Sequence, residues 1–571
     1  MDTKIENIGG ASAVLSILLE LKVRELINSR YPVHANWRGI DKGFIVCVWI
    51  SYIISASDHR LSALEDWVKE HELSLSLQLG ESIHVKDFTD DRLGKILDNF
   101  SDEGKWNKFE IASNQQFIQV YDIKGRTIQL DATIGQSFGK IVEDGLLQRG
   151  YSKQFRKDLG QFKTMLANLG EENIPLASIT VSGEKSDDEL YVPIIKLGKE
   201  SLPGTGYLWQ GDKKMSAIET RFYVESIGDY YLSPLSAVQV PKSVLTESYL
   251  KDYIQGQQAL VTVSREVKDV TKEIAKGFEK SVTKVHNGQI WTERHLVVRS
   301  EQYAISEENS LRNKLEKATK ALEDLNKRAK GKKVIKTQEA LEGIVGDILK
   351  KYDVTNLVKV EYQTTYQTKE IRASKSKEAR TETLFDYSIG LVVNEEALKT
   401  RILTLGWVVY ATNMPLELLS IEKAVLLYRQ EYKIEHRFHN FKDEVTRLLP
   451  IFLKKDNRIV GLINLLLFVL KIAAAMEFKV QKKLEEKGEQ LEGLYDGNPK
   501  IATPNPTISK MMKAMNSIAI AYIIQEGKIV FSFMNPVKPV QAKIMELLDI
   551  NLDSFINNKT IPKNKIVFFS Q

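Results

Sequence analysis

"YRQEYKIEHRFHNFK", residues 428–442, sets an aromatic, an acid and a base at one interval: Tyr428, Glu435 and Lys442 stand seven residues apart. Seven residues are close to two turns at about 3.6 per turn, so on a helix the three side chains share a face. Leu426, Leu427, Ile434, Phe438 and Phe441 already supply apolar positions for packing. The polar stripe can therefore address one common ligand. Taken alone, the segment is more simply explained as the solvated face of an ordinary surface helix, and the rest of the chain has to decide between the two.

At 571 residues the chain is too long for a single compact core, and its 43% hydrophobic and 27% charged composition is that of a folded protein. The balance of 80 Lys and Arg against 75 Asp and Glu leaves a formal charge of +5. That is too small to demand a polyanionic partner. The basic residues cluster, however, in "NKRAKGKKVIK" from Asn326 and "QTKEIRASKSKEAR" from Gln367, where a local positive field can meet phosphates as readily as water. A single cysteine, Cys47, excludes an intrachain disulfide framework and a Cys-ligated metal site, which fits a reducing cytoplasm. The start, "MDTKIENIGGASAVL", lacks a secretory pattern. "IVGLINLLLFVLKIAAAM" from Ile459 carries Asn464 and Lys471, so it is expected as a buried helix and not a membrane span.

Along the chain, residues 1–115 read as an all-helical domain with a possible role at DNA ends, including "SALEDWVKEHE" with a Ser62/Glu65 capping box and "DFTDDRLGKILDNF" with Thr89 or Asp90 as N-cap. From Phe117, "FIQVYDIKGRTIQLDATIG" reads as a β-hairpin turning at Gly125, followed by a helix over "SKQFRKDLGQFKTMLANLG". Strand, helix, strand, helix and strand then alternate through "IPLASITVSG", "YLWQGD" and "DYYLSPL", so residues 116–237 are the first part of an α/β layer. Residues 238–400 break the pattern. Leu311, Leu315, Ala318, Leu322, Leu325 and Ala329 give heptad spacing for a helical hairpin or short coiled coil, and two strands follow. Residues 401–490 resume the sheet at "GWVVYATN" and carry the opening helix, and 491–571 form a C-terminal helix and hairpin region.

No phosphate loop, zinc-protease helix or serine-nucleophile elbow is present, which leaves carboxylates as the available chemistry. Asp131 follows "TIQL" and Asp212 follows "YLWQG", both at the ends of expected strands, where side chains reach the crevice beyond a sheet. Glu435 follows another strand and is a possible third acid. Carboxylates with phosphate oxygens are a sufficient cage for Mg²⁺.

The spacing Y-x2-R-x3-E-x6-K characterises a branch of bacterial insertion-sequence DDE transposases, and this chain resembles it with Tyr428, Glu431, Glu435 and Lys442. "LDATIGQSFG", "GYSKQFRKDLGQF", "GDKKMS", "DNRIVGLINLLLFVLKIAAAMEF" and "GLYDGNPKIATPNPT" are similar to the family's flanking segments, so the likeness spans roughly 85 to 550. The resemblance implies an RNase H-like mixed sheet flanked by helices and interrupted by a large inserted domain. It implies that Asp131, Asp212 and Glu435 are catalytic and hold two Mg²⁺ ions, with Mn²⁺ able to substitute. It also implies that Tyr428, Lys442, Arg429 and Arg437 face DNA, and that the enzyme cuts element ends and joins them to target DNA as a homodimer. Glu431 departs from the family's Arg: it removes a guanidinium and adds an acid one turn before Glu435. A non-transposing nuclease of the same fold and an inactive DNA-binding relic are the alternatives. Trp291 is expected in a core, with base stacking as the other possibility.

Overall fold

The computed structural model describes residues 2–150, 158–267, 270–327, 335, 337–371, 380–449 and 451–550. The chain divides into two compact units, one of residues 1–233 with 427–571 and one of residues 234–426. The inserted unit is thus wider at both ends than the 238–400 expected. Most of the two basic clusters, and most of "GYSKQFRKDLGQF", lie outside the described residues.

The sheet of the first unit contains five strands: β1 (Thr127–Ser137), β2 (Gly160–Leu169), β3 (Ile174–Ser182), β4 (Leu208–Gln210) and β5 (Tyr230–Pro234). Their order is β3-β2-β1-β4-β5. β2 runs antiparallel to β1 and β3, whereas β4 is parallel to β1 and β5 is parallel to β4. This is the strand order of an RNase H-like sheet, and helices flank it as the sequence leads one to expect.

Two local readings are corrected by this sheet. The residues from Phe117 to Tyr121 end the helix Glu103–Tyr121 instead of forming the first arm of a hairpin, and β1 pairs with β2. Trp106, Phe109, Ser113, Phe117 and Tyr121 are buried along one face of that helix. The residues expected to be helical before Gly170 form strand β2 instead, which is buried at every position.

Helices of the amino- and carboxyl-terminal regions share one core with the sheet. At its centre is the helix Asp456–Lys487, among the described residues the one long and apolar enough to cross a membrane; 94% of its apolar window is buried inside the fold. It crosses the helix Asp90–Phe100 closely at Gly461, where a Cβ would stand 2.1 Å from the Leu97 carbonyl oxygen. Asn464 donates to the Phe100 carbonyl at 2.9 Å, and buried Lys471 donates to Asn114 at 2.7 Å with Glu110 at 3.8 Å. The two polar residues inside the apolar run are thus satisfied within the protein.

The amino-terminal region is not all helical. Asp2–Asn7 is a strand, paired antiparallel with Ala519–Gln525 of the C-terminal hairpin, and Glu6 accepts from the Ser74 backbone and hydroxyl at 2.7 and 2.6 Å. The capping box also shifts: the helix is Leu61–Leu79 with Arg60 at its N-cap, which places Ser62 inside the first turn.

In the second unit, Val261–Val267, Val270–His286, Gln289–Ser300 and Trp407–Thr412 pair successively antiparallel. Five of the six heptad residues lie on the helix Glu301–Asn326, where Leu311, Leu315, Ala318 and Leu322 share a core with Leu341, Val345 and Leu349 of the helix Gln338–Lys351; Ala329 lies outside the described residues. The heptads are therefore satisfied within the chain. Val358–Ile371 and Arg380–Val393 form the expected two-stranded ribbon, and Trp291 is buried, as a core residue should be.

Candidate active site

The site starts from a register. In the parallel pairing of β1 with β4, Thr127 lies opposite Leu208, Ile128 opposite Trp209 and Gln129 opposite Gln210. Asp131 and Asp212 each stand two residues further along their strands' direction. Strands lie about 4.8 Å apart, so the ends of β1 and β4 bring the two aspartates to one edge of the sheet: Asp131 is still on β1, and Asp212 is just past the last residue of β4.

β4 is only three residues long and is held from behind. Buried Asp229 accepts from the Gly206 backbone at 2.8 Å, from Trp209 Nε1 at 3.0 Å and from Lys199 Nζ at 2.7 Å. This acid anchors the strand that presents Asp212. Tyr191, at the start of the helix Tyr191–Glu200, donates its hydroxyl to Asp212 Oδ1 at 2.6 Å, and the Lys214 backbone N–H donates to the same oxygen at 2.9 Å. Burial pushes the Tyr191 phenol far up, and the charges of Asp212, Asp131 and Asp187 push it the same way. Tyr191 therefore remains a neutral donor between the two aspartates. Asp187 pairs with Lys163 and Lys214 at 2.5 Å each, which puts two ammonium groups at this end of the sheet.

The opening segment is not one continuous α-helix. Ile421–Tyr428 ends, Arg429–Glu431 is a 3-10 turn, Tyr432–His439 is α-helical, and Asn440–Glu444 widens into a π turn. The even stripe of Tyr428, Glu435 and Lys442 is thereby broken into pieces. The break has a cause on the sheet: Gln129 Nε2 donates to the Gln430 carbonyl at 3.0 Å, and Gln210 Nε2 donates to the Leu427 and Tyr428 carbonyls at 3.3 Å each.

Downstream, Ile434 and Phe438 enter the core, while Glu435 is exposed and Glu431 is half-buried. Burial holds the Glu431 carboxyl above the usual carboxylate range, Asp212 and Glu435 add to this, and a hydrogen bond from Tyr428 opposes it. Glu431 is thus an electrostatic neighbour of both Asp212 and Glu435. Arg429 and Lys442 are half-buried. Arg437 is a correction: it is 3% exposed, paired with Glu477 at 2.8 Å and donating to the Asn173 carbonyl at 2.7 Å, so it holds the helix to the core and does not face DNA.

Residues 3–113 match the family described as a domain of unknown function, DUF4277. No curated protein matches the chain. Among solved structures, the chain is similar to piggyBac transposase in a synaptic complex with hairpin DNA, at 8% identity and a TM-score of 0.34, covering 90% of this chain and 82% of that one.

The donor set near the strand ends is all oxygen, which suits a hard divalent cation. Among the described residues no three acidic, histidine or cysteine side chains are gathered closely enough to hold an ion as they stand. The Asp212 carboxylate accepts from Tyr191 and the Lys214 amide. The Oε1 atoms of Gln129 and Gln210, each two residues before an aspartate, are buried acceptors without a hydrogen-bond partner, so neutral oxygen is also present there. The residues fit a divalent cation in chemistry and backbone placement. The glutamines, Tyr191 and Asp229 were missed by sequence reasoning. A readable signal for the glutamines existed: "QLD" at 129–131 and "QGD" at 210–212 repeat one Gln-x-Asp pattern on two strands.

Proposed function

We propose that the chain is a DNA transposase of the DDE type, which cuts at the ends of an insertion element and joins the 3′-hydroxyl ends to target DNA. One observation carries the reading: Asp131 on β1 and Asp212 just past the end of the adjacent parallel strand β4 each follow a directly paired glutamine by two residues, and those glutamines tether the segment that leads into the acid-bearing helix. Asp131, Asp212 and Glu435 would hold divalent cations, Mg²⁺ or Mn²⁺, which supply Lewis acidity for in-line displacement at phosphorus. Tyr191 orients the Asp212 carboxylate by donating to one of its oxygens. Lys163 and Lys214 hold positive charge beside the aspartates, where a phosphodiester has to lie, and Asp187 fixes both ammonium groups.

Tyr428, Arg429 and Lys442 are the residues proposed to touch DNA, and Arg437 is removed from that set. Pairing of two ends calls for two active sites, so the working form is proposed as a homodimer on DNA in the bacterial cytoplasm. The test is cleavage of a labelled DNA end, taken from the inverted repeats that this reading expects on either side of the reading frame. Asp131→Asn, Asp212→Asn and Glu435→Gln are each expected to abolish cleavage in Mg²⁺ with end binding retained. A variant that cuts at the wild-type rate removes its residue from the site. Binding by the wild type with no cleavage in Mg²⁺ or Mn²⁺ selects the inactive relic instead.

A further inference from the structure

The two glutamines beneath the aspartates do something the aspartates cannot. A helix end leaves backbone carbonyls without intrahelical donors, and such carbonyls need other partners when buried. Here the carbonyls of Leu427, Tyr428 and Gln430 are reached by side-chain amides of two different strands, Gln129 on β1 and Gln210 on β4. Both glutamines are almost fully buried, at 3% and 2% exposure, and they occupy directly paired positions in the sheet. Each is two residues before an aspartate. One rigid ladder therefore fixes the aspartates and, through the amides, the height and rotation of the turn from which Glu431 and Glu435 project.

We propose that Gln129 and Gln210 are positioning residues of the active site, a two-amide clamp that sets the acid-bearing helix in register with Asp131 and Asp212. The inference rests on the transposase reading above, and it assigns the clamp a role in geometry and not in stability of the fold. Two features favour that role. The clamp acts where the helix Ile421–Tyr428 ends and the 3-10 turn Arg429–Glu431 begins, just ahead of the acids. The rest of the helix is held by other means, with Lys433 donating to the Gly170 carbonyl at 3.0 Å and Arg437 paired with Glu477. Loss of an amide thus leaves the helix attached and loosens the turn that carries Glu431 and leads into the helix of Glu435. A displacement on the order of 1 Å at a reacting centre is worth about 100-fold in rate.

The experiment uses the full chain and the variants Gln129→Met, Gln210→Met and the double, since methionine keeps length and removes the amide. Each single variant retains the other tether, which protects folding. Single-turnover cleavage of a pre-bound element end, the dissociation constant for that end, the melting temperature and Mn²⁺ binding by electron paramagnetic resonance are measured together. The expected result is a rate loss of about 10-fold or more in each single variant and about 100-fold in the double. End affinity and melting temperature stay near wild type, and Mn²⁺ binding weakens. Wild-type rates and Mn²⁺ binding in the double variant overturn the proposal. So does a loss of cleavage that follows end binding and melting temperature down in parallel, which marks a purely structural role. Failure of the underlying reading looks different: Asp131→Asn then cuts normally, whatever the glutamine variants do.

Discussion

Replacing Arg437 by methionine separates two accounts of the opening segment. On a DNA-facing surface the change would lower end affinity and reduce its salt dependence by about one phosphate contact, with stability altered by no more than about 0.5 kcal/mol. The structure demands the reverse. The Arg437 and Glu477 side chains are 3% and 4% exposed, and the second Glu477 oxygen accepts the Ile508 backbone N–H at 2.8 Å. Removing the guanidinium leaves a carboxylate in the interior with one neutral donor and orphans the Asn173 carbonyl. Breaking one side of a buried pair costs about 3–5 kcal/mol. With a urea dependence of about 3 kcal/mol per molar, the midpoint falls by about 1–1.7 M. Adding Glu477→Gln removes the stranded charge while keeping an acceptor for Ile508, so the double variant recovers part of the loss. Urea unfolding followed by tryptophan fluorescence, beside a salt titration of end binding, reads both quantities. An unchanged midpoint with a shallower salt slope refutes the interior assignment.

The remaining predictions concern the same unit. Lys471→Met strands the buried Glu110, whose carboxyl is pushed up to about 6 by burial despite the opposing Lys471 charge; a loss of about 3–5 kcal/mol is expected in denaturation, and Glu110→Leu beside it should restore most of it. Gly461→Ala forces a methyl group against the Leu97 carbonyl and is expected to cost about 1–3 kcal/mol; a neutral melting curve would show that the helices part freely there. Burial holds the Glu172 carboxyl above the ordinary glutamate range, so its contribution is fully present below that range and is lost as pH rises through the folded value. Glu172→Gln keeps an acceptor for the Gly125 N–H and should therefore be more stable than wild type at pH 8 and equal to it at pH 3. A difference that instead grows toward low pH reverses the sign and rejects the assignment.

What the chain reveals in one dimension follows from how local each signal is. The alternation of short strands with helices from Ile174 to Pro234 was legible because each element carries its own period and its own turn residues. The two aspartates were legible as strand ends, but not their register, which is a property of β1 and β4 together. β2 was misread because a strand buried on both faces has no alternation left to see. The end of the helix Glu103–Tyr121 was misread because Phe117, Ile118, Val120 and Tyr121 are residues that strands favour, while the helical face they complete begins at Trp106. Arg437 looked like a phosphate ligand since its partner, Glu477, belongs to another helix far along the chain. The Gln-x-Asp repeat lay in plain sight, and only the structure gives it meaning.

The pairing of Asp2–Asn7 with Ala519–Gln525 has a consequence for biosynthesis. Residues 234–426 are contiguous, whereas the unit that bears the carboxylates is assembled from both flanks of that stretch. Throughout translation its first strand waits with an open edge and no neighbour. A message truncated before codon 519 therefore yields a polypeptide whose first strand lacks its partner and exposes a sticky β edge, a product suited to chaperone capture or degradation.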